Sequence, residues 1–260
     1  VGIMNKLKEM ANRNEKALGT FVELGGASVV EALGQTGLDF MIVDNEHGPF
    51  DVESSLECIR AAEGAGLVPL CRVREISRPA ILKLLDQGAA GLIIPYIETI
   101  EQVQRIVEVG KYAPVGKRGY SGSRKDRWCF NQVGTLPLDQ QMKYWNEETL
   151  LIPQCETVAC LEQIEEITAM EGIDGIFVGP FDLSISMGMP GDFQNPKMIH
   201  AFERIVKACK KAGKVSIIFT AREEWIQDYY DMGFDMMTYG MDASVMIKGF
   251  QNLIADLKNK

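Results

Sequence analysis

Only two histidines occur in the chain, and they keep different company. His47 follows the apolar run Phe40-Met41-Ile42-Val43 and stands just after two carboxylates, Asp44 and Glu46. An imidazole with an unperturbed pKa of about 6.5, placed beside carboxylates at the end of a buried strand, suits a general base at neutral pH. His200 lies in a helical pattern among Met198, Ala201 and Lys207 and reads as structural. Glu156 and Asp182 also close apolar runs, in Gln154-Cys155-Glu156 and Gly179-Pro180-Phe181-Asp182. Two carboxylates without a neighbouring histidine or thiolate favour a hard, oxygen-preferring cation such as Mg2+ or Mn2+, with substrate and water completing the octahedron. The alternative for Asp182 is a cap on the turn beginning Leu183-Ser184. Gln154 and Glu156, two apart on a strand, share a face while Cys155 points away. Arg72 ends Val68-Pro69-Leu70-Cys71. A guanidinium on a buried strand needs an anion, either the carboxylate of a ligand or a neighbouring acidic side chain.

The elements that must position these groups are legible as eight β-rich runs. They are Ala17–Glu23, Phe40–Asp44, Leu67–Val73, Gly91–Tyr96, Leu150–Glu156, Gly175–Gly179, Val215–Thr220 and Asp235–Tyr239. Most are apolar throughout rather than alternating, as parallel strands buried on both faces are. Amphipathic segments lie between them near 28–36, 51–63, 77–88, 99–110, 158–170, 197–212, 222–232 and 242–257. Eight strand–helix units in 260 residues predict one (β/α)8 barrel domain over residues 1–260. A doubly wound sheet is the alternative, but Glu23-Leu24-Gly25-Gly26 lacks its glycine-rich phosphate turn. In a barrel the candidate residues, distant in sequence, converge on the rim at the C-terminal ends of the strands.

Composition narrows the partners. There are 27 Lys and Arg against 36 Asp and Glu, a net charge of −9, which disfavours nucleic acid and anionic membranes. No apolar run reaches the length of a membrane span, and the polar stretch Val1 to Asn14 lacks the apolar core of a secretion signal. Cys58, Cys71, Cys129, Cys155, Cys160 and Cys209 form no C-x-x-C pair; free thiols in the cytoplasm are expected. One connection is abnormally long. Lys111 to Thr149 holds a basic cluster (Lys117, Arg118, Arg124, Lys125, Arg127), the aromatics Tyr120, Trp128 and Phe130, and a helical pattern near 137–146. It is either a surface excursion or part of an interface or active site.

Four stretches together resemble the HpcH/HpaI aldolase family of metal-dependent pyruvate aldolases. They are Phe40-Met41-Ile42-Val43-Asp44-Asn45-Glu46-His47-Gly48-Pro49, Leu84-Leu85-Asp86-Gln87-Gly88-Ala89-Ala90-Gly91-Leu92, Gln154-Cys155-Glu156-Thr157, and Gly172 to Ser184 with its Gly-Pro-Phe-Asp-Leu-Ser. The similarity covers roughly residues 15–257. It implies a (β/α)8 barrel, commonly a hexamer built from dimers that exchange a terminal helix. It implies His47 as the base, Asp86 as the carboxylate that raises its basicity, and Arg72 as the group that stabilises the transition state. Glu156 and Asp182 then hold the divalent cation, Mg2+ or Mn2+ with Co2+ as a further candidate. Arg72, Gln154, Asp182 and the backbone at Phe181 contact the substrate. Where such proteins carry a small residue, this chain has Phe181, and Ile217 stands where a glycine is usual; a tighter pocket is expected.

The expected reaction is reversible cleavage of a 4-hydroxy-2-oxo acid to pyruvate and an aldehyde through a pyruvate enolate. Lys214 falls at the N-terminal side of its strand, away from the active rim, so a Schiff-base mechanism is not expected. Two other classes are distinguishable. A citryl-CoA-type lyase of the same superfamily would bind a CoA tail, and a non-catalytic barrel would fail to exchange the methyl protons of pyruvate.

Overall fold

In the structure, a computed structural model describing residues 6–258, the apolar runs are strands of one closed sheet. The first five residues of the polar N-terminal stretch and the last two of the chain lie outside that range. The strands are β1 (Ala17–Val22), β2 (Phe40–Asp44), β3 (Val68–Arg72), β4 (Gly91–Ile94), β5 (Leu150–Cys155), β6 (Gly175–Val178), β7 (Val215–Thr220) and β8 (Met236–Met241). All pair in parallel in sequence order, and β8 returns to β1. The helices are α1 (Lys6–Asn12), α2 (Ala27–Leu33), α3 (Val52–Ala65), α4 (Arg78–Gln87), α5 (Ile100–Gly110) and α6 (Leu138–Glu148). They continue as α7 (Val158–Glu162), α8 (Ile164–Ala169), α9 (Pro180–Ser186), α10 (Pro196–Ala212), α11 (Ile226–Met232) and α12 (Asp242–Lys258). The (β/α)8 barrel expected from the sequence is present.

Strand alternation divides the core in two. Phe40, Ile42, Val68, Leu70, Phe177 and Ile217 fill the barrel interior, while Met41, Val43, Cys71, Leu92 and Ile218 pack outward against the helices. Leu7 and Met10 of α1 join the interior cluster and close its N-terminal end. That helix was not evident in the sequence, where two apolar residues three apart make a weak pattern. The expected helix 158–170 is broken at Gln163 (φ −105°, ψ 12°) into α7 and α8. Helix α4 is bounded by the Ser77 hydroxyl, which accepts from the Ala80 N–H, and by Gly88 at φ 107°, a left-handed value that only glycine adopts freely.

The long connection folds back on the barrel. Its basic cluster largely points inward. Arg118, fully buried, pairs with Asp86 at 2.7 Å and lies 4.7 Å over the Tyr112 ring. Arg124 pairs with Glu63 at 2.6 Å, and Lys125 hydrogen-bonds Tyr112 and sits 4.4 Å over Trp145. Burial and the neighbouring Arg118 charge push the Lys125 amine well below its usual range. These cations are consumed in holding the excursion down and offer no polyanion-binding stripe. Trp128 and Phe130 remain exposed, as do Met246, Ile247, Phe250 and Leu253 on α12. No described helix is long and apolar enough to cross a membrane.

Glycine at position 19 makes room for a ring. A Cβ there would overlap Phe40, which is fully buried on the neighbouring strand. Gly19→Ala is therefore expected to cost about 1–3 kcal/mol by overpacking. Adding Phe40→Leu should return part of that loss. Urea melts of the single and double variants check this; additive losses would show that the two positions do not compete for space.

Candidate active site

Strands β2 and β3 end in register, with Asp44 beside Arg72. The guanidinium grips the carboxylate with two bonds, Nε to Oδ1 at 2.8 Å and Nη2 to Oδ2 at 2.6 Å. Asp44 has no exposed side-chain surface. Burial alone would push its carboxyl up, but the Arg72 bonds and charge and the N–H groups of Glu46 and His47 together hold it below the usual range. The remaining Arg72 nitrogen, Nη1, lies 3.2 Å from Glu46, and the ring of Phe21 lies 4.8 Å beneath the guanidinium. The Asp44 carboxylate thus fixes Arg72 and also pins the turn that carries His47. His47 itself is 67% exposed, with Nε2 3.9 Å from Glu46.

Across the rim, Glu156 follows the end of β5 and is buried. Its Oε1 accepts from the backbone N–H of Tyr96 at 2.6 Å, and its Oε2 accepts from the side-chain amide of Gln154. Tyr96 adopts a left-handed backbone (φ 56°), which turns its N–H toward that carboxylate. Burial raises the Glu156 carboxyl above its usual range; the two hydrogen bonds oppose this, and repulsion from Glu46 and Asp182 adds to it. Burial likewise raises Glu23 and Glu46, helped by like-charge neighbours. A rim crowded with carboxylates that repel one another is a place where added positive charge is favourable.

Gly179 leaves the space this arrangement needs. A Cβ there would stand 2.9 Å from both Gln154 Nε2 and Glu156 Oε2. Gly179 also begins α9, whose first turn carries Phe181 and Asp182. No side chain caps that helix, so Asp182 is not the cap, and it lies on the rim near Glu46 and Glu156. Gln154 Oε1 is buried without a hydrogen-bond partner. A cavity of about 160 Å³ at the C-terminal end of the barrel is lined by His47, Arg72, Gln154, Phe181 and Asp182.

The structure therefore brings together His47, Arg72, Gln154, Glu156, Phe181 and Asp182 and leaves Asp86 out. Helix α4 runs from the C-terminal rim back to the N-terminal rim, and Asp86 sits in its last turn, just before β4. There it pairs with the buried Arg118. The partnership with His47 implied by the resemblance is not formed within one chain. His200 is exposed on α10, away from the site. Sequence reasoning allowed Arg72 a neighbouring carboxylate without identifying Asp44 as that partner, and it missed the Tyr96 N–H. The first had a signal, since charged residues of opposite sign end adjacent strands; the second had none. Among the described residues, no cluster of three or more His, Cys, Asp or Glu is gathered to hold a metal ion alone.

Because Asp44 is held below its usual range, its contribution to stability is complete above the unfolded value of about 3.9 and disappears as pH falls through the folded value. Asp44→Asn, which leaves buried Arg72 with Glu46 alone, is expected to cost about 3 kcal/mol at pH 7. The difference between wild type and variant should shrink below about pH 4. Urea melts between pH 7 and 3 measure it; a difference at pH 3 undiminished from that at pH 7 would mean the carboxylate's charge is not what stabilises the pair.

The geometry has close relatives. The HpcH/HpaI aldolase/citrate lyase family matches residues 17–249. The chain is 28% identical over 259 residues to the 2-keto-3-deoxy-L-rhamnonate aldolase of Escherichia coli, covering 99% of this chain and 94% of that protein. It is 29% identical over 254 residues to the hydroxypyruvate/pyruvate aldolase of Agrobacterium fabrum, covering 98% and 94%. The crystal structure of an HpcH/HpaI aldolase from Desulfitobacterium hafniense superposes with a TM-score of 0.89 at 27% identity, covering 98% of this chain and 97% of the other. With its barrel closed and its rim built from the ends of β2, β3, β5 and β6, the chain belongs to the HpcH/HpaI aldolase/citrate lyase family, a family of lyases.

Proposed function

We propose that this protein is a class II-type pyruvate aldolase that reversibly cleaves a 4-hydroxy-2-oxo acid to pyruvate and an aldehyde. One observation carries the reading: His47, Arg72, Gln154 and Asp182, with Glu156 beside Gln154, meet at a single cavity on the catalytic end of the barrel. The aldolase names of two relatives, at 28% and 29% identity over nearly the whole chain, support it.

The residues fit a divalent cation such as Mg2+ or Mn2+. Glu156 and Asp182 offer hard oxygen donors and repel each other without one, Gln154 Oε1 is buried and unpartnered, and Gly179 keeps the space clear. Bound at Glu156 and Asp182, such an ion would supply positive charge to the 2-oxo and carboxylate oxygens of the substrate and to the developing enolate. The chain's own groups do the rest. Gln154 and the Phe181 N–H orient the pyruvate half. His47, open to the cavity and to water, takes the proton from the 4-hydroxyl. The C3–C4 bond then breaks, its electrons passing into the enolate of pyruvate, and the aldehyde leaves. Arg72, prepositioned by Asp44, holds positive charge beside the developing oxyanion, so little reorganisation is needed at the transition state.

Asp86 serves this reaction only from another copy, since it occupies the opposite end of its own barrel. We therefore place it in a homo-oligomer, with a hexamer as the expected form. The exposed apolar residues of α12 give that assembly a surface to bury.

Glu156→Gln should abolish cleavage and weaken Mn2+ binding measured by calorimetry, because a neutral amide does not replace a charged ligand to a hard cation. Arg72→Lys should lose about 10²–10³ in kcat, with deuterium exchange into the methyl group of pyruvate falling in parallel. Wild-type activity of Glu156→Gln after chelation and Mn2+ titration would sink the metal assignment. Normal exchange in Arg72→Lys with lost cleavage would move Arg72 to the aldehyde half.

Assembly is tested by mixing. Asp86→Asn and His47→Asn are each expected to be inactive, and co-expressed chains should recover a fraction of wild-type activity. A monomeric mass by light scattering at micromolar concentration, or no recovery in mixed oligomers, removes Asp86 from the site.

A further inference from the structure

The cavity at the catalytic end divides by strand. Its polar groups come from the ends of β2, β3, β5 and β6: His47, Arg72, Gln154 and Asp182. β4 contributes no lining residue; β7, β8 and β1, consecutive in the barrel, bring the apolar groups Phe219, Met241 and Phe21, and Phe177 of β6 adds to them. These side chains form a continuous wall. The Phe21 and Phe219 rings are 5.8 Å apart, and Phe219 is 6.0 Å from Phe181. Phe181 is buttressed in turn by Phe193 at 4.8 Å. Such a wall is held by its own packing and does not rearrange freely.

Charge on this side is negative or neutralised. Glu23, beyond the end of β1, lines the cavity mouth, and burial followed by repulsion from Asp44 and Asp242 raises its carboxyl. Arg72 is the one arginine or lysine that lines the cavity among the described residues, and it is already paired with Asp44 and Glu46. Arg222, past the end of β7, is paired with Glu224 at 3.5 Å, stacked 5.7 Å from Trp225, and does not line the cavity.

We infer that the aldehyde partner of this enzyme is an uncharged one carrying a hydrocarbon substituent, aliphatic or aromatic, which lies against Phe21, Phe219 and Met241. The inference rests on the pyruvate aldolase reading and goes beyond it by naming the second substrate's class. When the polar strands hold the pyruvate half, the substituent on the new carbinol carbon faces the apolar arc. Within one chain, a carboxylate there finds no free cation and meets Glu23, while a chain of hydroxyls loses its hydration to phenyl rings. Condensation joins the methyl carbon of pyruvate to the carbonyl carbon of the aldehyde. One methyl proton leaves to the base, the carbonyl oxygen gains one, and nothing is oxidised or reduced. The cleavage substrate is then a 4-hydroxy-2-oxo acid with a hydrocarbon group on C4.

The test compares kcat/KM for condensation of pyruvate with butanal, benzaldehyde, glyceraldehyde and 4-oxobutanoate, in Mg2+ and in Mn2+. Methyl deuteration of pyruvate in D2O is followed alongside by proton NMR. Butanal is expected to exceed glyceraldehyde and 4-oxobutanoate by at least about tenfold, the discrimination that one or two methylenes in an apolar pocket provide. Phe219→Ser should lower the butanal-to-glyceraldehyde ratio by about tenfold, a comparison in which the aldehydes' intrinsic reactivities cancel. Methyl exchange with equal or greater use of glyceraldehyde or 4-oxobutanoate, or with no condensation at all, overturns the inference and leaves the aldolase reading standing. An unchanged ratio in a folded Phe219→Ser variant also overturns it. Absence of both exchange and condensation overturns the aldolase reading, and the inference with it.

Discussion

The pairing of Asp44 with Arg72 is the constraint around which the catalytic rim is arranged. Two strands that end in register place opposite charges side by side in a region closed to water. Neither charge is tolerable there alone. Together they fix the guanidinium plane with two bonds, and the spare oxygen capacity of Asp44 accepts the backbone N–H groups that shape the turn into His47. The position of the only histidine on the rim and the aim of Arg72 therefore follow from one carboxylate. Glu156 repeats the pattern opposite, where the N–H of a left-handed Tyr96 and the Gln154 amide hold it, over a glycine that leaves room for both.

Much of this was legible in the sequence for a physical reason. Parallel strands covered on both faces must be apolar along their length, so polar residues at their ends stand out. His47, Arg72, Gln154, Glu156 and Asp182 were found that way. Asp44 was visible but its partner was not, because pairing depends on register, and register is set by the closure of the whole barrel. Tyr96 was invisible, since its contribution is a backbone N–H and a torsion angle. Asp86 is different again. The resemblance offered a role, and the direction of α4 moves the residue to the far end of its own chain.

The long connection shows what composition leaves open when burial is unknown. Lysines and arginines interleaved with aromatics look like a polyanion-binding surface. Here Arg118, Arg124 and Lys125 lie against Asp86, Glu63, Tyr112 and Trp145, so the same composition serves as a clamp. A cation covered by a ring and a carboxylate has surrendered most of its hydration and little of its charge remains to attract a partner from solution.

The sorting of side chains by strand has an evolutionary corollary. Arg72 at the end of β3 is bound by charge to Asp44 and Glu46 at the end of β2, and Gln154 to Glu156 at the end of β5, so a substitution in one disturbs its partner. Phe219 and Met241 make no such bonds and answer mainly to volume and shape. Drift can therefore work on β7 and β8 at modest expense to folding while the ionic half stays intact. A lineage with this partition diversifies one arc at a time, and its members should differ most along the strands where the barrel closes.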